Sequence, residues 1–211
     1  MFQTFCIAGV VMLSGCATTP PISSDGSVTK PPQSVEAPAA PAPILLAGKR
    51  HSRFHGLDNW RINGRLGIRQ GDDGFSAGML WQQKGTEFDI ALLDPLGRRV
   101  AQLLGNADHV ALKTVDGNRF EADNAEELLE AKLGWSFPVQ SLFYWIKGTP
   151  NPKLLAWREE YDDRGRLVKL HQGKWKLNIT KYQNLGEEYI PKLIKMERED
   201  IKVKLLIRDW E

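Results

Sequence analysis

With 211 residues, 42% of them hydrophobic, the chain is long enough for one globular domain with a full core plus appendages. A formal net charge of +2 falls far short of the clustered cations that electrostatic nucleic-acid binding needs, so no nucleic-acid partner is expected, while an anionic surface stays permitted. Both cysteines, Cys6 and Cys16, fall in the first sixteen residues, which excludes a disulfide framework or a cysteine metal site from everything that follows.

Phe5 to Gly15 is an apolar run too short to cross a bilayer as a helix, and it leads into Leu13-Ser14-Gly15-Cys16. That ending resembles the bacterial lipoprotein signal, in which the cysteine becomes the first mature residue and carries acyl chains on its sulfur and its amine. No Lys or Arg precedes the run, leaving the amino terminus to supply the positive charge. Residues 1–15 are thus expected to be a signal peptide and Cys16 the lipidated residue, with several acyl chains giving lasting attachment. Ala17, where an aspartate would hold a lipoprotein at the inner membrane, favours the outer membrane by resemblance to enterobacterial sorting. From residue 16 to 43 the chain is rich in Pro, Ala, Ser and Thr and holds no aromatic residue, so it is expected to be a disordered tether. The folded domain is expected over 44–211.

Ile44 to Asp58 allows a short helix that stops near Gly56. A helix puts His51 and His55 on one face, but a zinc-protease helix needs Glu where Ser52 stands, and the pair reads as solvated surface. From Trp60 the period turns to two: Trp60, Ile62, Leu66 and Ile68, then Phe75, Ala77, Met79 and Trp81, then Phe88, Ile90 and Leu92. The acidic turn Gly71-Asp72-Asp73-Gly74 lacks the spaced ligands of a calcium loop and reads as a hairpin. Asp94-Pro95-Leu96-Gly97 has the residue order of a type I turn and places Leu96 at a hairpin tip, backed by Arg98 and Arg99. Two readings are open: the leucine folds back on its own strands, or it enters acyl chains while the guanidinium groups snorkel to phosphate. Strands at Val100–Leu104, His109–Thr114 and Arg119–Asp123 continue an antiparallel meander.

The period then changes. Asp123 or Asn124 caps a helix whose Leu128, Leu129 and Leu133 form a stripe ending at Gly134; Pro138 opens a second whose Leu142, Trp145 and Ile146 share a face, ending at Gly148. Strands return at 154–161, 166–172, 174–183, 190–197 and 201–209, about eleven in all. So many strands must curl, and the two helices need an apolar face to lie on. The expected fold is α+β, a mainly antiparallel incomplete barrel with a helical lid. Trp60, Met79, Trp81, Phe88, Phe143, Trp145, Trp157 and Trp175 supply its interior bulk, which is either a plain packed core or, if part stays unfilled, an apolar pocket. No phosphate loop, nucleophile elbow or metal-ligand spacing occurs, so neither enzymatic chemistry nor a metal or other cofactor is expected.

Taken in order, Trp81-Gln82-Gln83, Asp94-Pro95-Leu96-Gly97, Ala122-Asp123-Asn124-Ala125-Glu126-Glu127, Pro138-Val139, Trp145-Ile146-Lys147-Gly148, Trp175-Lys176 and the ending Val203-Lys204-Leu205 with Trp210 resemble the LolB family of outer-membrane lipoprotein receptors. The resemblance covers about residues 57 to 210 and implies an unclosed eleven-stranded barrel with a helical lid and a hydrophobic cavity. It implies a non-covalent activity: accepting acylated lipoproteins from the soluble periplasmic carrier LolA and delivering them to outer-membrane lipids without nucleotide, with the protein expected as a monomer. By position, Leu96, with Pro95 and Gly97, becomes the membrane-inserting loop, Arg98 and Arg99 headgroup or carrier contacts, and Cys16 the anchor. The acyl-chain cavity is expected to draw Trp60, Leu66, Met79, Trp81, Phe88, Ile90 and Leu92 from the first strands, Leu129, Leu142, Trp145 and Ile146 from the helices, and Trp175 and Leu177 from a later strand. A general carrier of hydrophobic ligands and a structural subunit of an envelope assembly complex are the alternatives.

Overall fold

Strict alternation of apolar and polar residues produces strands wherever it was expected. The computed structural model describes residues 42–134 and 138–211; the expected signal peptide, Cys16 and nearly all of the tether lie outside them. The described part opens with α1 (Pro43–His55), which has proline in its first turn, where a missing N–H costs nothing, and Arg53 and His55 in its last. Eleven strands follow among the described residues: β1 (Asn59–Gln70), β2 (Asp73–Lys84), β3 (Glu87–Leu93), β4 (Arg99–Gly105), β5 (Val110–Thr114), β6 (Arg119–Ala122), β7 (Ala156–Tyr161), β8 (Leu167–Gln172), β9 (Trp175–Leu185), β10 (Glu188–Arg198) and β11 (Ile201–Trp210). Between β6 and β7 come α2 (Ala125–Leu133) and α3 (Val139–Trp145).

All eleven strands form one sheet in the order β6-β5-β4-β3-β2-β1-β11-β10-β9-β8-β7. The first and last strands pair antiparallel in its middle, Leu66 opposite Leu205 and Gln70 opposite Ile201. The two edges are therefore β6 and β7, consecutive in the chain and joined through the helices, and the barrel stays open between them. Register shifts at Asn63/Gly64, Leu92/Leu93 and Pro191/Leu193 bend the sheet, the last where a proline has no N–H to give the ladder. Inward residues of the strands and Leu128, Leu129, Val139, Leu142 and Trp145 of the helices make one buried cluster. Trp60 stacks on Trp210 at 5.2 Å between ring centres and tilts against Trp81, also at 5.2 Å.

Two expectations are corrected. Trp157 is not interior: it is 63% exposed, because the register shift between Ala156 and Arg158 at the start of β7 turns it outward, where its ring meets that of His171 at 4.5 Å. His51 is not solvated: it is half-buried, its ring is 5.7 Å from that of Tyr161, and burial lowers its pKa, while His55 is exposed.

The turns that follow β1, β3, β5, β8 and β10 share one end of the sheet, since antiparallel strands alternate in direction. The other end holds α1. There Arg50 donates to Glu188 Oε2 at 3.4 Å and to the Tyr189 carbonyl, and Gly165 in the β7–β8 turn (φ +69°) lies so close that a Cβ on it would meet Leu46 Cβ at 2.5 Å.

Candidate functional site

The Asp94 hairpin is a self-bonded loop. Gly97 N–H donates to the Asp94 carbonyl at 2.9 Å, closing the expected turn, and Asp94 N–H donates to the Arg98 carbonyl at 2.9 Å. Gly97 has φ +82°, the left-handed position of a three-residue hairpin loop. The Asp94 carboxylate then organises the rest: Oδ1 accepts from the amides of Leu96 and Arg98, each at 2.9 Å, and Oδ2 from Arg98 Nε at 2.7 Å. These bonds, the one from the Arg98 amide foremost, hold the Asp94 carboxyl below the usual carboxylate range. Leu96 rises from this frame 79% exposed, so it does not fold back on its own strands. Pro95, Gly97, Arg98 and Arg99 are exposed around it. Neither guanidinium is idle: Arg98 is clamped to Asp94, and Arg99 Nη1 donates to Gln102 Oε1 at 3.0 Å.

Beneath the lid, the residues expected around an acyl-chain cavity lie close together. All thirteen residues assigned to an acyl-chain cavity are buried, yet most of them fill the space between helices and sheet. Among the described residues, the spaces bordering the lid include a wholly apolar void of about 20 Å³ under α2, lined by Leu66, Ile90, Leu92, Ala101, Leu103, Leu112, Leu129 and Leu133, a cleft of about 180 Å³ beside α3 that touches Trp81 and Phe88, and a more polar hollow of about 560 Å³ where Leu133 and Gly134 meet Ile68, Asp73 and Phe75. Ligand pockets usually occupy about 300–1,000 Å³, and the void and the cleft fall short of that. Trp60, Met79, Leu142, Trp145, Ile146, Trp175 and Leu177 border none of these spaces. These seven, aromatic and aliphatic side chains from both layers, belong instead to the single buried cluster between helices and sheet.

The two helices are held in different ways. Trp145 Nε1 donates to Gln172 Oε1 at 2.9 Å, the Asn151 amide donates to the same oxygen at 2.8 Å, and Gln172 Nε2 donates to the carbonyls of Asn151 and Leu154, each at 2.9 Å. Asn151 Nδ2 reaches Ser141 Oγ at 3.2 Å, and Lys147 Nζ reaches the Leu57 carbonyl at 3.1 Å while lying 3.8 Å from the centre of the Phe143 ring. Burial pushes the Lys147 ammonium down to about 8, with Asp58 opposing the shift. This buried polar lattice pins α3 to the sheet. By contrast α2, stopped by Asn124 (Oδ1 accepting from the amides of Glu126 and Glu127 at 2.8 and 3.3 Å) and by left-handed Gly134, has Ala125, Leu128 and Leu129 against the sheet. Its polar side-chain interactions with the sheet include Lys132 over the Phe120 ring at 4.3 Å and the electrostatic attraction of Arg198 for the half-buried Glu126. The helix over the apolar void is thus held mainly by apolar burial, with no side-chain hydrogen bond to the sheet among the described residues, and the lid has a fixed half and a looser half.

The model of the family described as outer membrane lipoprotein LolB matches residues 58–210. The chain belongs to the LolB family. An outer-membrane lipoprotein LolB of Stutzerimonas stutzeri is 35% identical over 207 residues, covering 98% of this chain and 92% of that protein. The Pseudomonas aeruginosa LolB is 37% identical over 155 residues, 74% of this chain and 75% of its own. A LolA-superfamily protein of Nitrosomonas europaea shares the fold at 11% identity, with a TM-score of 0.55 over 82% of this chain and 94% of its own. Membership makes this an outer-membrane lipoprotein, as the LolB names state, and the open sheet with its helical insert is the LolA-like fold.

Three features of this LolB-family site were not anticipated. The Gln172 lattice joins residues far apart in the chain and leaves no local signal. Lys147 is fully buried although the sequence around it reads as a helix end. The β5–β6 hairpin repeats the backbone bonds of the Asp94 loop, Gly117 donating to the Thr114 carbonyl and Thr114 to that of Asn118, and presents Val115, 77% exposed, at the position Pro95 holds in that loop, with Asp116 where Leu96 stands. The order Thr-Val-Asp-Gly-Asn carries that signal and was readable.

Proposed function

We propose that this LolB-family protein is the receptor that takes acylated lipoproteins from a soluble periplasmic carrier of the LolA type and releases them into the outer membrane without nucleotide hydrolysis, acting as a monomer on the periplasmic face and anchored through Cys16. The observation that carries the reading is the pairing of a loosely held amphipathic helix over an all-apolar void with a rigidly framed leucine standing in solvent. Acyl chains crossing water expose apolar surface at about 25 cal/mol per Å², so transfer must run from one apolar site directly into another. Displacement of α2 exposes Leu66, Leu92, Leu103, Leu112 and Leu129 to an incoming chain, while the Gln172 lattice keeps α3 and the sheet in place. Exit follows when the Leu96 hairpin enters the bilayer. With no nucleotide, direction comes from tighter binding at each station, the bilayer last.

The filled interior favours one competing reading, an assembly subunit whose helices meet a protein. Mass spectrometry of the gently purified protein separates the two, since a receptor carries acylated ligand and a scaffold does not. Depletion of the protein tests the pathway itself: acylated lipoproteins accumulate in the periplasm bound to their carrier, and an unchanged distribution overturns the proposal.

A further inference from the structure

On the outer face of the sheet, away from the lid, β1, β2, β9, β10 and β11 form a hollow of about 500 Å³. Its walls carry Arg69, Lys176, Lys195, Lys202 and Lys204 against the single carboxylate of Glu197, in a chain whose net charge is only +2. Like charges face each other across the ladder, Arg69 opposite Lys202 and Lys195 opposite Lys204, while Glu197 lies opposite both Lys202 and Lys176 without closing an ion pair with either. Directly opposed like charges destabilise a sheet, and no ion pair among the described residues includes any of these five cations. The floor is made by Gly67, Gly74 and Ser76. Neither glycine has a positive φ, and a Cβ at either would meet nothing nearer than 3.9 Å. Glycine inside a strand weakens it, and here neither backbone conformation nor packing asks for it. What the missing side chains do is leave the hollow open.

We propose that this hollow is a docking site for phosphate-bearing anionic lipid headgroups, by which the domain rests on the membrane surface during delivery. Its cations flank the turns after β1, β8 and β10, at the end of the sheet that also presents Leu96 and Val115, 79% and 77% exposed. A membrane approached by that end meets apolar tips and a cationic hollow together. Four of the five cations are lysines, compact charges suited to a diffuse anionic surface rather than to forked recognition of one carboxylate, which favours a lipid surface over an acidic protein. The proposal deepens the delivery reading and rests on it only for which end faces the bilayer.

The test uses the mature chain, residues 16–211, carrying Cys16→Ala so that neither the apolar leader nor an acyl anchor intervenes, and flotation with neutral phosphatidylcholine vesicles or the same vesicles containing phosphatidylglycerol. Preferential, salt-sensitive binding to the anionic vesicles is expected. Each lysine near such a surface contributes roughly fivefold, so Lys195→Gln/Lys202→Gln/Lys204→Gln weakens that binding about tenfold to a hundredfold. Gly67→Ile, which fills the hollow and leaves the charge alone, weakens it as well while the melting temperature holds or rises. Equal binding to both vesicle types, or unchanged binding by both variants, overturns the proposal, as does a charge variant that loses only an acidic protein partner. Leu96→Glu, run in parallel for incorporation of acylated cargo, separates the two ideas: a headgroup site can fail while that variant still blocks delivery, or stand while delivery is unaffected.

Discussion

Replacing Leu96 by glutamate tests the delivery step at a residue that does nothing for folding. Complete burial of a leucine side chain is worth about 1.5–3 kcal/mol. With 79% of Leu96 in solvent, most of this remains available when the tip meets acyl chains, on the order of 2 kcal/mol. That corresponds to roughly thirtyfold in occupancy of the inserted state, before the added cost of bringing a carboxylate to the same depth. Stability should change by no more than about 0.5 kcal/mol, because no buried contact is lost and the Asp94 frame uses only the backbone amide of residue 96. In the assay, the protein is loaded with acylated lipoprotein by a LolA-type carrier, mixed with liposomes, and both transfers are followed. Loading is expected to match wild type and incorporation to fall at least tenfold, with Leu96→Ala between the two. Equal incorporation by Leu96→Glu, or an equal loss at the loading step, refutes the reasoning.

Further outcomes follow from the two halves of the lid. Gln172→Ala strands the Trp145 and Asn151 N–H groups in the core at about 1–3 kcal/mol each, and the melting temperature should drop by about 10 °C, while Gln140→Ala, which removes an exposed bond to the Ala107 carbonyl, leaves it nearly unchanged. Asn124→Ala removes the α2 cap, worth about 1 kcal/mol, and should speed hydrogen exchange of α2 amides and uptake of a fluorescent acyl probe severalfold without altering exchange in α3; unchanged uptake argues against α2 as the gate. Lys147 is held at about 8, below its unfolded value, so the folded state binds fewer protons than the unfolded state above that pH. Stability therefore rises with pH from about 8 toward the unfolded lysine value, by at most a few kcal/mol, and denaturant titrations of Lys147→Met should lack that rise.

Much of the fold was legible because strand and helix periods depend on neighbours a few residues away. The eleven strands, the Asn124 cap, the Gly134 stop and the Asp94 turn all follow from local chemistry, whereas the exposure of Leu96, left open between two readings, depends on where the surrounding strands lie. Trp157 escaped because a one-residue register shift reverses which face a side chain takes, and alternation alone does not locate such shifts. His51 escaped because its burial comes from the β7 edge rather than from its own helix.

By itself, then, the sequence determined the elements, their order, the open sheet with its helical insert and the apolar character of the inner face. Only the tertiary structure decided that this face is nearly filled, that α3 is pinned through Gln172 while α2 rests mainly on apolar contact, and that five cations and two unneeded glycines converge on the outer face. The physical reason is that volume, hydrogen-bond closure and charge density are sums over residues distant in the chain, whereas periodicity and turn chemistry are not.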